Sequence, residues 1–243
     1  MNIQEAEKIW NKLGQDDPMW AVLTDPDKKG GKWNAEQFFQ TGRDEVGEMV
    51  KKLHDAGIDF QRGKALDFGC GLGRLSQALS NCFSSVDGVD ISASMIEGAR
   101  AFNHAPEKVF YHVNQKADLS MFPSATFDFI YTCICLQHIP ARFQLVYISE
   151  FMRLLKAGGV AHFQTIHARG LRALVPDWFT EIYRKSKHRG KAYIPMYGVP
   201  VEHVLGAIRA GGGVVKVHEP SAYEQQWESR FSSDNFVVIK PTC

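Results

Sequence analysis

A glycine-rich run, Asp67-Phe-Gly69-Cys-Gly71-Leu-Gly73-Arg74, constrains this chain more than any other segment. It follows a short apolar approach, Lys64–Leu66, which predicts the first buried strand of a parallel sheet. After it, Leu75, Ala78 and Leu79 recur at helical spacing. Glycines let the backbone turn sharply and pass close to a ligand. Strand, glycine turn and helix in this order therefore predict a cofactor pocket at the carboxyl edge of a sheet.

A second acidic residue, Asp90, ends the next apolar strand, Val86–Val89, seventeen residues after Gly73. A carboxylate in this place can bind both ribose hydroxyls of an adenosine. Two cofactor classes fit this outline, and the spacing of the glycines separates them. The dinucleotide fingerprint is G-x-G-x-x-G, whereas here position 74 is Arg and the third glycine comes one residue early. An NAD-dependent oxidoreductase is therefore kept as the alternative interpretation.

The pattern D-x-G-x-G-x-G resembles motif I of the class I S-adenosylmethionine-dependent methyltransferases. The resemblance implies S-adenosyl-L-methionine as the cofactor, with Asp67 helping to hold the methionine ammonium. The further cofactor-binding residues that it implies here are Gly69, Gly71, Gly73, Arg74, Asp90 and Ile91.

The resemblance continues past the second strand. The segment Ser92–Glu97 is similar to the D-x-S-x-x-M segment of the family, and Ser92 or Ser94 is expected to cap the next helix, with Glu97 completing a capping box. Met95 either faces the adenine or belongs to the helix core. After the strand Val109–Val113, the adenine edge is expected to meet the Asp118–Leu119 loop, with Asn114 as the competing candidate.

The fourth strand, Thr126–Tyr131, leads into Thr132–Pro140, which resembles the L-x-H-(I/V) segment of small-molecule methyltransferases. We expect Cys133 and Gln137 to border the cofactor here. Cys133 and Cys135 form a C-x-C pair, but no zinc-like spacing accompanies them, so we predict strand-end packing and no metal. Arg153–Gly159 resembles the turn that precedes strand five in the family, with Ala157 in place of the usual Pro.

A helix is predicted from near Asn34 to His54, with its apolar residues at helical spacing. Trp33 and Phe39 are interpreted as an aromatic cover over the cofactor, and Arg43 as a partner for the methionine carboxylate. The alternative is that these aromatics only dock the helix on the core.

A single domain is predicted: an α/β, Rossmann-like three-layer sandwich with a seven-stranded, mostly parallel sheet whose last strand is antiparallel. We divide it into an N-terminal helical cover (1–63), a cofactor-binding core (64–167), a substrate-cap insertion (168–200), and a closing helix and strands (201–243). Aromatic residues of the cap suggest a planar or apolar acceptor; they are Trp178, Phe179, Tyr183, Tyr193 and Tyr197.

Composition limits the partners and the location. The net charge of the 243 residues is +1, which gives no broad electrostatic footprint for nucleic acid. No apolar run is long enough to span a membrane, and the first residues are unlike a signal peptide. Five cysteines without framework spacing indicate reduced thiols and a cytoplasmic protein. A monomer or homodimer acting on a small molecule is expected.

The expected reaction is in-line transfer of a methyl group to an oxygen or nitrogen atom of a small molecule, including aromatic acceptors. A base is required only if the acceptor must lose a proton. The catalytic candidates are His138 and His167, both at the carboxyl ends of predicted strands. Besides the oxidoreductase, a non-catalytic cofactor-binding module is the other alternative.

Overall fold

A computed structural model describes residues 1–168, 194–221 and 231–242 of the chain. Seven strands form one sheet in the order β3-β2-β1-β4-β5-β7-β6. The strands are β1 Lys64–Phe68, β2 Ser85–Asp90, β3 Val109–Val113, β4 Phe127–Thr132, β5 Leu155–Ala168, β6 Val214–Pro220 and β7 Phe231–Ile239. The first five strands are parallel, and β7 runs antiparallel to both β5 and β6. The predicted sheet is therefore confirmed.

Helices cover both faces of this sheet and one of its edges. They are α1 Ile3–Asp16, α2 Pro18–Val22, α3 Ala35–Asp55, α4 Arg74–Leu79, α5 Ala93–Ala101, α6 Ala141–Leu154 and α7 Val201–Ala210. Short 3-10 turns occupy Pro26–Lys28 and Leu136–His138. Among the described residues, no helix combines the length and the apolar character needed to cross a bilayer.

Two apolar clusters pack on opposite faces of the sheet, and alternation along the strands assigns residues to them. In β1, Leu66 and Phe68 face the cluster that includes α6 and α7, whereas Ala65 faces the cluster built with α3 and α4. Successive side chains of a strand point to opposite faces. Asp67 therefore lies on the same side as Ala65, toward α3 and α4.

The N-terminal part departs from the sequence-based expectation. The Asp, Pro, Lys and Gly residues of Asp16–Lys32 are typical of a polar loop, but this segment contains α2 and a 3-10 turn. Pro18 occupies the first position of α2, where a missing N–H is harmless, and Ala21 is buried. A third apolar cluster joins Leu13 and Ala21 of these helices to Leu72 and Met95 of the core.

The cap of α5 also differs in detail. Ser92 is the N-cap, and its hydroxyl accepts a hydrogen bond from the Met95 amide at 3.2 Å. Because the third helical residue is then Met95, Glu97 cannot close the expected capping box. Most of the predicted substrate cap, including Trp178, Phe179, Tyr183 and Tyr193, lies outside the described residues.

Candidate cofactor and acceptor site

A cavity opens at the carboxyl edge of β1, β2 and β4, where ligands bind in open α/β sheets. Its empty space is about 1070 Å³, including the mouth that is open to solvent. The glycine turn after β1, the end of β2 and the segment after β4 form one side. Helices α1 and α2 form the opposite side through Asn2, Ile3, Ala6, Trp10, Ala21 and Val22.

The glycine turn adopts backbone conformations that L-residues rarely take. Gly69 and Gly71 have φ values of 77° and 51°, and both line the cavity. A Cβ on Gly69 would overlap the Cys135 sulfur, and one on Gly71 would lie 2.5 Å from a methyl of Val22. The turn therefore requires glycine for its conformation and for the close approach of its neighbours. Gly73, with φ 79°, is the N-cap of α4 and does not line the cavity.

Asp90 ends β2 and lines the cavity beside this turn. Its Oδ2 accepts a hydrogen bond from the Gly71 amide at 2.9 Å, and its Oδ1 accepts one from the Ser92 amide at 2.8 Å. Burial raises the pKa of Asp90. A carboxylate offers about four acceptor positions, so acceptor capacity remains beyond its backbone hydrogen bonds. That capacity fits the paired hydroxyls of a ribose. Ile91, the next residue, also lines the cavity.

Arg74 provides the buried positive charge of the site. Arg74 lines the cavity with its side chain 4% exposed, and its guanidinium donates to Glu45 Oε2 at 2.8 Å. Glu45 also accepts from the Tyr131 hydroxyl at 3.0 Å. Although burial raises the pKa of Glu45, the Arg74 charge and these hydrogen bonds outweigh it and lower the pKa. The guanidinium is thus fixed between α3 and the glycine turn.

Asp67 does not line the cavity. Its Oδ2 accepts a hydrogen bond from the Ser76 hydroxyl at 2.6 Å, beneath the turn. Burial raises the pKa of Asp67 to about 7, against the Ser76 hydrogen bond and the Arg74 charge, which lower it. Strand alternation explains the difference from the expected contact with a methionine ammonium, because it directs Asp67 toward α4.

The two residues predicted to meet the adenine, Asn114 and Asp118, lie differently with respect to the cavity. Asn114 lines the cavity, and its amide donates to the Asp118 carbonyl at 2.7 Å. The Asp118 carboxylate instead accepts from the Ser120 amide at 3.0 Å, away from the cavity, and Leu119 is fully buried in the core. Met95 both lines the cavity and belongs to the cluster under α1 and α2, so the two interpretations of this residue are compatible.

The segment after β4 forms the part of the cavity on the other side of β1 from Asp90. Cys133, Ile134, Cys135 and His138 all line it. Ile134 has φ 54°, an unusual conformation for a β-branched residue, and its amide donates to Gln164 Oε1 at 3.0 Å. Such strain persists only where surrounding contacts enforce it, and it concentrates at functional sites.

His138 is buried in a fixed orientation. Its Nδ1 lies 2.7 Å from the Pro195 carbonyl oxygen, so Nδ1 carries the proton and Nε2 is left as an acceptor. The Gln137 amide donates toward Nε2 at 3.3 Å, although Gln137 itself does not line the cavity. Burial lowers the pKa of His138 to about 4, despite the Pro195 hydrogen bond, so the ring is neutral at pH 7.

His167, the second catalytic candidate, is placed elsewhere. It does not line the cavity, and its Nδ1 lies 2.8 Å from Asp234 Oδ2 on β7. Of the two histidines predicted as catalytic, only His138 lines the cavity. Tyr197, the one cap aromatic among the described residues, is buried, and its backbone amide donates to the carbonyl of Gln137, the neighbour of His138, at 2.7 Å.

The expected aromatic cover does not reach the cavity either. Trp33 donates its indole N–H to the Leu23 carbonyl at 3.1 Å, and Phe39 packs in the cluster under α1 and α2. Arg43 is on the outer face of α3, paired with Glu36. The residues that do cover the cavity were missed, although Ile3, Ala6, Trp10 and Leu13 follow helical spacing and could have indicated an amphipathic helix.

Comparison with known proteins agrees with this geometry. Residues 65–159 match a family model described as a methyltransferase domain. The ubiquinone biosynthesis O-methyltransferase of Xanthomonas oryzae pv. oryzae (strain PXO99A) is 26% identical over 144 residues, which cover 57% of this chain and 59% of that protein. The protein of the same description from Thiobacillus denitrificans (strain ATCC 25259 / T1) is 28% identical over 168 residues, 69% of this chain and 72% of that one.

Among solved structures, the magnesium protoporphyrin IX methyltransferase from Synechocystis PCC 6803, with bound SAH, superposes with a TM-score of 0.63. It is 17% identical and covers 98% of this chain and 99% of its own. The match to the methyltransferase-domain model is thus confined to residues 65–159, and the superposition shows that the chain has the fold of that S-adenosylmethionine-dependent methyltransferase. The match to the Xanthomonas protein spans only about three fifths of that relative's length. These comparisons give the oxidoreductase alternative no support.

Proposed function

We propose that this protein transfers a methyl group from S-adenosylmethionine to an oxygen or nitrogen atom of a small molecule bound in the cavity. The observation that carries the proposal is the carboxylate of Asp90, fixed by the Gly71 and Ser92 amides beside the glycine turn. The cofactor supplies an activated methyl group on a sulfonium. The O-methyltransferase relatives favour an oxygen acceptor.

The residues around the cavity fit such a cofactor from one end to the other. Asp90 would bind the ribose hydroxyls, and Met95 and Asn114 would border the adenine. Arg74 would attract the cofactor's carboxylate, a role that the sequence suggested for Arg43. Asp67 would act through the turn rather than by direct contact, since Ser76 occupies its carboxylate.

The acceptor would lie at the end bordered by Trp10, His138, Ile139 and Pro140. These walls are mainly apolar, and they would exclude water and hold the acceptor atom in line with the methyl group. Such positioning can supply about 7–11 kcal/mol of the barrier. His138 has a neutral Nε2, which would exchange its 3.3 Å hydrogen bond from Gln137 for one from the acceptor hydroxyl and take the proton as that oxygen is methylated. A cytoplasmic location is part of the proposal and is supported by four free cysteines among the described residues.

The test is turnover. The purified protein would be incubated with S-adenosylmethionine and a panel of phenols, catechols, aliphatic alcohols and amines, and formation of SAH would be measured. We expect SAH to accumulate with at least one hydroxyl acceptor. His138→Gln should then lower kcat by about 10²–10⁴-fold for acceptors that must lose a proton. SAH binding without turnover on any acceptor would favour the non-catalytic module.

A further inference from the structure

Helix α1 supplies one wall of the cavity through a single face. Ile3, Ala6 and Trp10 all line the cavity, at spacings of three and four residues that place them on one side of the helix. The indole of Trp10 meets the imidazole of His138 edge-on, with ring centroids 5.4 Å apart. Trp10 therefore covers the acceptor end of the site.

The next residue, Asn11, ties the same helix to the cofactor side. Its Oδ1 accepts hydrogen bonds from the Ser92 hydroxyl at 3.0 Å and from the Ser94 amide at 3.2 Å. Its backbone carbonyl accepts from the Ser94 hydroxyl at 2.9 Å. Three hydrogen bonds thus join one residue of α1 to the start of α5.

The two serines are themselves connected to Asp90. The Ser92 amide donates to Asp90 Oδ1 at 2.8 Å, and the hydroxyls of Ser92 and Ser94 lie 3.0 Å apart. A continuous hydrogen-bonded chain therefore runs from the carboxylate at the end of β2 to Asn11. Because Trp10 and Asn11 are neighbours on one rigid helix, the position of Trp10 depends on this chain.

An independent observation shows how closely α1 approaches α5. Gly14 lies one turn after Asn11, and a Cβ at this position would be 2.5 Å from the Ser94 hydroxyl oxygen and 3.2 Å from Met95 Cγ. Glycine within a helix lowers helix stability relative to alanine. Its presence here matches the requirement for close contact between the two helices.

We propose that Asn11 is a positioning residue, which ties α1 to the serines after Asp90 and thereby holds Trp10 against His138. Cofactor binding at Asp90 and the shape of the acceptor wall are coupled through this contact. The identities of the two ligands rest on the proposed function, whereas the positioning of Trp10 does not.

The first test follows His138 in the ligand-free protein by NMR titration, with His138→Gln used to assign its signal. Burial lowers the pKa of His138, and the Trp10 indole is packed against its imidazole. In Asn11→Leu, α1 should loosen, and the midpoint should rise by at least about one pH unit toward that of an exposed imidazole. Asn11→Asp keeps the acceptor oxygens and places a negative charge at a helix N-terminus, so it should retain the wild-type midpoint.

Two controls separate positioning from general destabilisation. Lys12 is the residue after Asn11, and its exposed side chain pairs with Asp16. Lys12→Ala should therefore leave the His138 titration unchanged. Gly14→Ala should shift the midpoint as Asn11→Leu does, because the new methyl group displaces α1 from Ser94. Gly47→Ala is the matched control: it is exposed in α3, its Cβ would meet nothing within 4 Å, and no shift is expected.

The second test uses SAH as the probe of coupling. In the wild type, SAH should slow amide hydrogen exchange across residues 3–16, and in Asn11→Leu this slowing should be lost while SAH binds about tenfold more weakly. An unchanged His138 titration in both Asn11→Leu and Gly14→Ala would overturn the proposal, as would SAH protection of α1 that persists in Asn11→Leu. Failure of the wild type to bind SAH would overturn the proposed function instead, and the ligand-free titration would still decide the role of Asn11.

Discussion

At the scale of single residues, His138 couples protein stability to pH. An unfolded histidine takes up a proton near pH 6.5, whereas burial holds the pKa of folded His138 at about 4. Between these values the unfolded state binds more protons, so this residue lowers the free energy of unfolding as the pH falls through that window. Its contribution reaches about 3 kcal/mol when the window has been crossed.

We therefore predict that His138→Gln has a lower free energy of unfolding than the wild type at pH 7, because the substitution alters the contacts with Pro195 and Trp10. At pH 4.5 this difference should shrink or reverse, because only the wild type is destabilised by protonation of His138. Urea unfolding at the two pH values measures the difference. The same substitution at the exposed His104 is the control, since its side chain is in solvent in both states. A wild type and a His138→Gln variant with parallel pH dependence would contradict the buried, neutral imidazole.

A second residue-scale prediction concerns the adenine end. Asn114 lines the cavity and Asp118 does not, although both were candidates from the sequence. Asn114→Ala should weaken SAH binding by about 1 kcal/mol, roughly fivefold, because it removes a wall of the cavity and the hydrogen bond that shapes the loop. Asp118→Ala should change SAH affinity less than about twofold. Isothermal titration with both variants decides between them, and the reverse order would reassign the adenine contact to Asp118.

At the scale of elements, the sequence predicted the parts of the site that depend on local patterns. The glycine turn, Asp90 at the end of β2 and the helix α3 follow from spacing, and each lies where it was expected. Asp67 and Arg43 show the limit of this reasoning. The face on which a strand residue lies depends on the register of the whole sheet, and Arg43 belongs to the outer face of a helix whose inner face packs on the core.

The cover of the cavity shows the same limit over a longer range. Trp33 and Phe39 have the composition expected of an aromatic cover, but they pack beneath α1 and α2 rather than over the cavity. Trp10 takes the place in the cavity wall instead. Its contact with His138 joins residues separated by more than half of the chain, and no local pattern specifies such a pair.

Contact between the glycine turn and α2 gives a prediction at this scale. Gly71 has φ 51°, and a Cβ would lie 2.5 Å from a Val22 methyl. Gly71→Ala should lower the free energy of unfolding by about 1–2 kcal/mol from the backbone conformation alone, and by more from the overlap. Adding Val22→Ala should recover the overlap part only. Gly206→Ala in α7, where a Cβ meets nothing within 4 Å, should be neutral or stabilising in the same unfolding assay.

At the scale of the whole molecule, the parallel pairing of β1 with β2 and β4 brings the carboxyl ends of these three strands to one edge, beneath α1 and α2. One cavity lies at this edge. Asp90 and Arg74 carry its charge, and Trp10 and His138 border its apolar end. The fold thus separates a polar region, where we propose that the cofactor binds, from an apolar region, where we propose that the acceptor binds, within one continuous space.

The most direct test of this account is the affinity of the protein for SAH, measured by isothermal titration with the wild type, Asp90→Asn and Asp44→Asn. Asp90→Asn keeps the shape of the side chain but removes its charge and one acceptor oxygen. Losing charge-assisted bonds to the ribose should weaken binding by about 1.5–3 kcal/mol, roughly ten- to a hundredfold. Asp44 is exposed on α3, and its replacement should leave the affinity unchanged. Equal SAH affinity in the wild type and Asp90→Asn, or saturable binding of NAD in place of SAH, would contradict the account.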